Sequence, residues 1–113
     1  MHVVSDEDTA IALGSGDVAV LGTPRVVALV EQASVNAVRD ALDDAQTTVG
    51  THIEMEHLRA TAVGASVQAT ATLDAADGLR LEFAVTVTQD GREIARGRVV
   101  RAVVDRDRFL SRL

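Results

Sequence analysis

Four extended runs rich in Val and Thr fill most of residues 47–104, and only one long stretch before them can form a helix. TTVGTHIEMEH, SVQATATL, LRLEFAVTVTQ and EIARGRVVRAVV follow one another closely, and Asp77-Gly78 and Asp90-Gly91 mark two of the reversals as hairpin turns. Strands joined this tightly form an antiparallel meander, and its apolar face must be covered by something. The helical stretch opens on Thr23-Pro24, a capping residue followed by the residue favoured in the first helical turn. Nothing breaks it before about Leu42, and its apolar residues surround most of the circumference, which predicts burial on several sides. HVV at residues 2–4 adds a very short strand, and SDEDTAIALGSG a short helix or turn with Ser5 as its cap and Gly14 or Gly16 as its stop. The result is an α+β chain in which one long central helix is wrapped by an antiparallel sheet of about five strands.

Composition decides what can fill that core and which functions are excluded. Residues 1–113 suit a single domain, and with 47% hydrophobic residues but only Phe83 and Phe109 aromatic, the core is built from Val, Ala, Leu and Ile. The absence of Trp and Tyr and a net charge of −6 argue against a nucleic-acid partner. No run of ~18 apolar residues spans a membrane, and the acidic N-terminus is unlike a signal peptide, so a soluble, cytoplasmic protein is expected. Without cysteine there is no disulfide, thiolate metal site or cysteine nucleophile. Every fixed cation is an arginine, and nine of them fall in residues 58–113.

Three polar groups stand out against this background. Glu31 follows Val26-Val27-Ala28-Leu29-Val30 inside the most apolar helix, where a carboxylate needs a partner, a use or access to water. Alternation along GTHIEMEH puts Gly50, His52, Glu54 and Glu56 on one strand face and Thr51, Ile53, Met55 and His57 on the other, so His57 ends the face turned to the helix. His52, Glu54 and Glu56 are too poor in imidazole and thiolate for a metal site, and a solvated face is the better reading. Thr23 is a plain N-cap candidate, although a hydroxyl at a helix start can also touch an anionic ligand. Eight residues separate Thr23 from Glu31, roughly 12 Å along a helix, too far for direct contact. Arg96 and Arg98 share a strand face, either as a solvated face paired with acids or as a grip for phosphates.

TPRVVALVEQASV, TTVGTHIEMEHLRATAVGASV and GRVVRAVVDRDRF together resemble the fluoroacetyl-CoA thioesterase-like branch of the hot-dog-fold superfamily, from about Thr9 to Phe109. The resemblance keeps four positions in register: Thr23 before the helix, Glu31 inside it, Gly50 before the strand and His57 within it. It implies hydrolysis of a small acyl-CoA thioester at a site shared between two subunits of a homodimer or higher even oligomer. Glu31 would be base or nucleophile, His57 would assist proton transfer and Thr23 would position substrate or water. Gly50, with Thr48 and Val49 beside it, would bind substrate, its N–H steadying the oxyanion. No cofactor is implied beyond the coenzyme A of the substrate. The segment IALGSGDVAVLG lacks the phenylalanines that gate the acyl pocket of the fluoroacetate-selective member, with Gly14 and Asp17 at the corresponding positions, so the acyl group stays open. Hydration or dehydration of an acyl-CoA, and acyl-CoA binding without turnover, are the alternative readings for the same scaffold.

Overall fold

Val26, Val30, Ser34 and Val38 recur at every fourth position, and in the computed structural model, which describes residues 1–113, they form the buried stripe of the helix α2 (Thr23–Val38). Val27, Leu29 and Val35 flank the stripe half-buried, while Ala28 and Ala37 are exposed. Burial within the chain is thus confined to one side, narrower than the composition of the helix predicts, because the sheet covers only that side. The helix also ends before Leu42. Arg39–Ala41 tightens into a 3-10 turn, where Asp40, Asp43 and Asp44 set negative charge against the negative end of the helix dipole.

β1 (His2–Val3), β2 (Gln46–His57), β3 (Ser66–Asp77), β4 (Arg80–Gln89) and β5 (Arg92–Asp105) make one five-stranded antiparallel sheet in the order β1-β3-β4-β5-β2. All five expected strands are present. Asp90 and Gly91 both have positive φ (50° and 76°), as a two-residue hairpin turn of type I′ requires. The other hairpin turns one residue later than expected, at Gly78 and Leu79, with Asp77 still paired to Arg80.

Phe83 is fully buried at the middle of β4, and Val85, Val87, Ala95 and Val99 line the same sheet face against Val26 and Val30 of α2. A buried Val or Phe side chain contributes about 1.5–3 kcal/mol, so this aliphatic layer holds helix to sheet despite its lack of aromatic bulk. The N-terminal segment is tied down by a buried acid. Asp8 accepts from the Ser5 N–H (2.8 Å) and hydroxyl (3.1 Å) and pairs with His2 (2.8 Å) and Arg25 (2.8 Å). Burial alone would raise its carboxyl, but the Ser5 and His2 hydrogen bonds prevail and hold it below the usual value. α1 (Ala10–Leu13) follows, capped by the Thr9 hydroxyl and stopped by Gly14. A third helix, α3 (Arg106–Ser111), has no counterpart in the sequence reading; it is capped by the Asp105 carboxylate, which accepts from the Arg108 N–H at 3.0 Å. No helix is long and apolar enough to cross a membrane.

Candidate active site

Thr23 does not cap α2. Gly22 is the N-cap, its N–H held by the Asp8 carbonyl at 2.8 Å, and this leaves the Thr23 side chain in the first turn with no capping duty. Its hydroxyl lies 2.8 Å from Nδ1 of His57, the last residue of β2. Burial pushes the half-buried imidazole below its ordinary 6.5, partly opposed by hydrogen bonding to the Arg59 backbone, so His57 is mainly uncharged at neutral pH. The pair opens on a cleft of about 310 Å³ that Asp17, Val18 and Arg59 also line. Asp17 therefore sits where the resemblance places an acyl-pocket residue, while Gly14 is spent on ending α1 with a φ of 71°.

The second group forms around Glu31, and a β-bulge decides its membership. Gly50 lies opposite Arg101 and His52 opposite Val100, so Thr51 is an extra residue in β2. Parity flips there: Thr48 and Gly50 face α2 before the bulge, and Ile53, Met55 and His57 face it afterwards. Simple alternation put Gly50 on the opposite face from His57; the bulge brings both to the helix side. A Cβ at position 50 would lie 2.6 Å from Glu31 Oε2 and 3.3 Å from Arg101 Nη1, so only glycine lets the carboxylate rest against the strand.

Arg101 is the cation that the sequence reading did not place. It is 6% exposed, and its guanidinium donates to Thr48 Oγ1 (2.8 Å, from Nε), the Thr48 carbonyl (3.1 Å, from Nη2) and Glu31 Oε2 (3.0 Å, from Nη1). Two bonds to Thr48 aim the third at Glu31. Alternation was enough to reveal this residue, since Val99, Arg101 and Val103 share a face on which both valines are core. The Glu31 side chain, 37% exposed, is neither a solvated rim group nor a buried acid, with one oxygen committed to Arg101.

The site residues thus fall into two groups. Thr23 and His57 meet at one end of β2, and Glu31, Gly50, Thr48 and Arg101 at the other. Val49, opposite Ala102 on the outer face, joins neither and lies beside Phe109 and Leu110. Arg96 and Arg98 take the ordinary reading: Arg98 pairs with Asp74 (2.9 Å) and Glu82 (3.6 Å), and Arg96 reaches Glu56 (3.6 Å) and Glu93 (3.9 Å) on the exposed sheet face. His52 binds Glu54 at 2.9 Å on the same strand, and no three His, Asp or Glu side chains cluster as metal ligands.

A long helix packed on a five-stranded antiparallel sheet, with paired polar groups where helix and edge strand meet, defines a hot-dog-fold protein of the thioesterase type. The family model described as fluoroacetyl-CoA-specific thioesterase matches residues 4–107. The fluoroacetyl-CoA thioesterase of Streptantibioticus cattleyicolor is 33% identical over 94 residues, covering 83% of this chain and 68% of that protein. A crystal structure of the fluoroacetyl-CoA thioesterase FlK superposes with a TM-score of 0.92 at 30% identity, over 98% of this chain and 87% of that one. A single-residue variant of FlK in complex with fluoroacetate and CoA gives 0.91 over 98% and 91% of the two chains, also at 30% identity. A hot-dog-like protein from Thermanaerovibrio acidaminovorans shares the fold alone, at 23% identity with a TM-score of 0.89 over 98% and 82%. The chain belongs to the fluoroacetyl-CoA-specific thioesterase family.

Proposed function

We propose that the protein hydrolyses a small acyl-CoA thioester at two equivalent sites, each shared between the subunits of a homodimer. One observation carries this reading: the two polar groups sit at opposite ends of β2, with Gly50 and His57 six ladder steps or about 20 Å apart along the strand and Thr23 and Glu31 about 12 Å apart along α2, too far to act on one carbonyl from within one chain. β2 is also the last strand of the sheet, bonded on one side only. A 12-residue edge strand is a template for pairing, and a symmetric dimer uses the same edge twice. Antiparallel pairing centred on Glu54, with Thr51 left out by its bulge, would set Gly50 opposite His57 of the partner subunit. Each composite site would then hold Glu31, Arg101 and Gly50 from one chain with Thr23 and His57 of the partner subunit.

In such a site Arg101 occupies one carboxylate oxygen of Glu31, leaving the other to take a proton from water. The hydroxide oxygen adds to the thioester carbonyl, and the oxyanion is steadied by the Gly50 N–H. As the tetrahedral species collapses, the C–S bond breaks and the thiolate receives a proton through the Thr23–His57 pair, for which an uncharged imidazole is suited. The new carboxylic acid and Glu31 return to carboxylates through that transfer and loss of one proton to solvent. Direct attack by Glu31 on the carbonyl is the other route open to the same carboxylate. Membership of this family supports the thioesterase chemistry; fluoroacetyl selectivity is not part of the proposal, since the segment before Thr23 carries no aromatic residue.

Subunit complementation tests both the chemistry and its sharing. Glu31→Gln and His57→Ala are each expected to abolish thiol release from a panel of short, branched and aromatic acyl-CoAs. Mixed after unfolding and refolding together, they should recover roughly a quarter of parental activity, since half the dimers are hybrid and each hybrid holds one intact shared site. Inactive parent protein sinks the hydrolase reading, and consumption of an enoyl-CoA without thiol release would favour a hydratase. Active parent with no recovery on mixing, or a strict monomer in sedimentation, sinks the shared site.

A further inference from the structure

Five of the eleven arginines, Arg25, Arg80, Arg96, Arg98 and Arg101, face carboxylates within ion-pair distance; the other six do not. Two of those six, Arg59 and Arg92, are exposed and line one cavity of about 470 Å³ together with Ala60, Gln89, Asp90 and Ile94. Arg59 and Ala60 also line the Thr23–His57 cleft, so the two spaces meet along this segment. The backbone fixes the junction, with the Leu58 and Arg59 N–H groups both donating to the Ile94 carbonyl at 2.8 and 3.2 Å. Arg92 begins β5 three residues before Ala95, which lies opposite His57, a separation of about 10 Å along the strand.

Other arginines are worse placed for an anion. Arg108 and Arg112 share a cavity, but Asp43 and Asp105 line it too, and it does not include Thr23 or His57. The Arg59–Arg92 cavity has Asp90 as its one carboxylate against two guanidinium groups. A guanidinium offers a planar fork that matches phosphate oxygens, and one without a carboxylate partner keeps that fork free. Coenzyme A carries its phosphates at the far end of a flexible arm from the thioester. Its polar end therefore needs a cationic surface that adjoins the reacting group without touching it.

We propose that Arg59 and Arg92 grip the phosphate end of the coenzyme A moiety while the thioester lies at Thr23 and His57. The assignment rests on the acyl-CoA reading above, and its test is a binding measurement that needs no turnover. Calorimetric titration compares coenzyme A with pantetheine, which lacks the phosphates, on the parent, Arg59→Gln, Arg92→Gln and the double variant. Both side chains are exposed, so the variants fold, and Arg108→Gln serves as a control with unchanged affinity. The double variant should bind coenzyme A about tenfold or more weakly, with pantetheine unaffected, as expected for loss of charge-assisted bonds to phosphate. Raising the salt concentration should weaken the parent towards the double variant. Equal affinity of the parent for the two ligands, or a double variant that binds coenzyme A as the parent does, overturns the subsite. Arginine-dependent coenzyme A binding without thiol release from any acyl-CoA would refute the hydrolase and leave the subsite standing. Hydrolysis by a protein whose coenzyme A affinity ignores both arginines would do the reverse.

Discussion

Replacing Gly50 by alanine should separate the working site from the fold. An alanine Cβ would start 2.6 Å from Glu31 Oε2, so the carboxylate must retreat by roughly 0.8 Å to reach ordinary van der Waals contact. That oxygen is the free end of a flexible side chain, and Gly50 does not occupy the left-handed region, so neither neighbour nor backbone resists strongly. Stability should fall by less than about 1 kcal/mol, or a few degrees in melting temperature for a chain of this length. Catalysis is far less tolerant, since a misplacement approaching 1 Å can remove about 10²-fold from a rate. The same retreat stretches the 3.0 Å bond from Arg101 that orients Glu31. The expected outcome is a 10- to 100-fold loss of kcat, on the order of the misplacement effect, with a near-parental melting curve. Thiol release and thermal unfolding on one preparation read both quantities. Unchanged kcat would refute the idea that the position of Glu31 against Gly50 matters, and a collapse of stability would show that Glu31 does not absorb the added methyl.

Two more substitutions probe the other end of β2. Thr23→Val keeps the shape of the side chain and removes its hydroxyl; since Gly22 is the cap, melting should be almost unchanged where loss of a true cap would cost about 1 kcal/mol, while thiol release falls. A melting loss of cap size with activity retained would return Thr23 to a structural role. For His57 the sign follows from burial, which holds the folded pKa below the 6.5 of the unfolded chain, so the unfolded state takes up the proton first as pH falls. Its contribution to stability is full above 6.5 and is lost as pH drops through 6.5 to the folded pKa, and turnover should fall with protonation of the imidazole. In His57→Gln the stability slope across that window should flatten, as followed by urea unfolding at several pH values, and an unaltered slope would remove His57 as its source.

Much of this architecture is legible before any coordinates. Period-2 runs of Val and Thr, a type I′ Asp-Gly turn and Pro24 in the first helical turn act over a few residues, and each produced the element it predicts. The failures have equally local causes. The extra residue at Thr51 has no distinctive side chain, so nothing in THIEMEH announces the parity flip that brings Gly50 against Glu31. Asp105 caps α3 where the eye sees only charged residues after a strand. α2 looks buried on several sides because valine and alanine surround it, yet only the side facing the sheet is covered within the chain.

The sequence by itself determined the central helix, the five strands and their order, and its family resemblance singled out Thr23, Glu31, Gly50 and His57 as candidates. Only the tertiary structure decided their partners. Glu31 and Arg101 are 70 residues apart and Thr23 and His57 are 34, distances over which no local pattern reports contact. Strand register, one bulge and the stripe on which α2 lies decide which carboxylate meets which cation, and these come from packing the whole sheet against the helix. The same packing holds Thr23 and His57 at the far end of β2 from Glu31, the separation that the proposed homodimer would close.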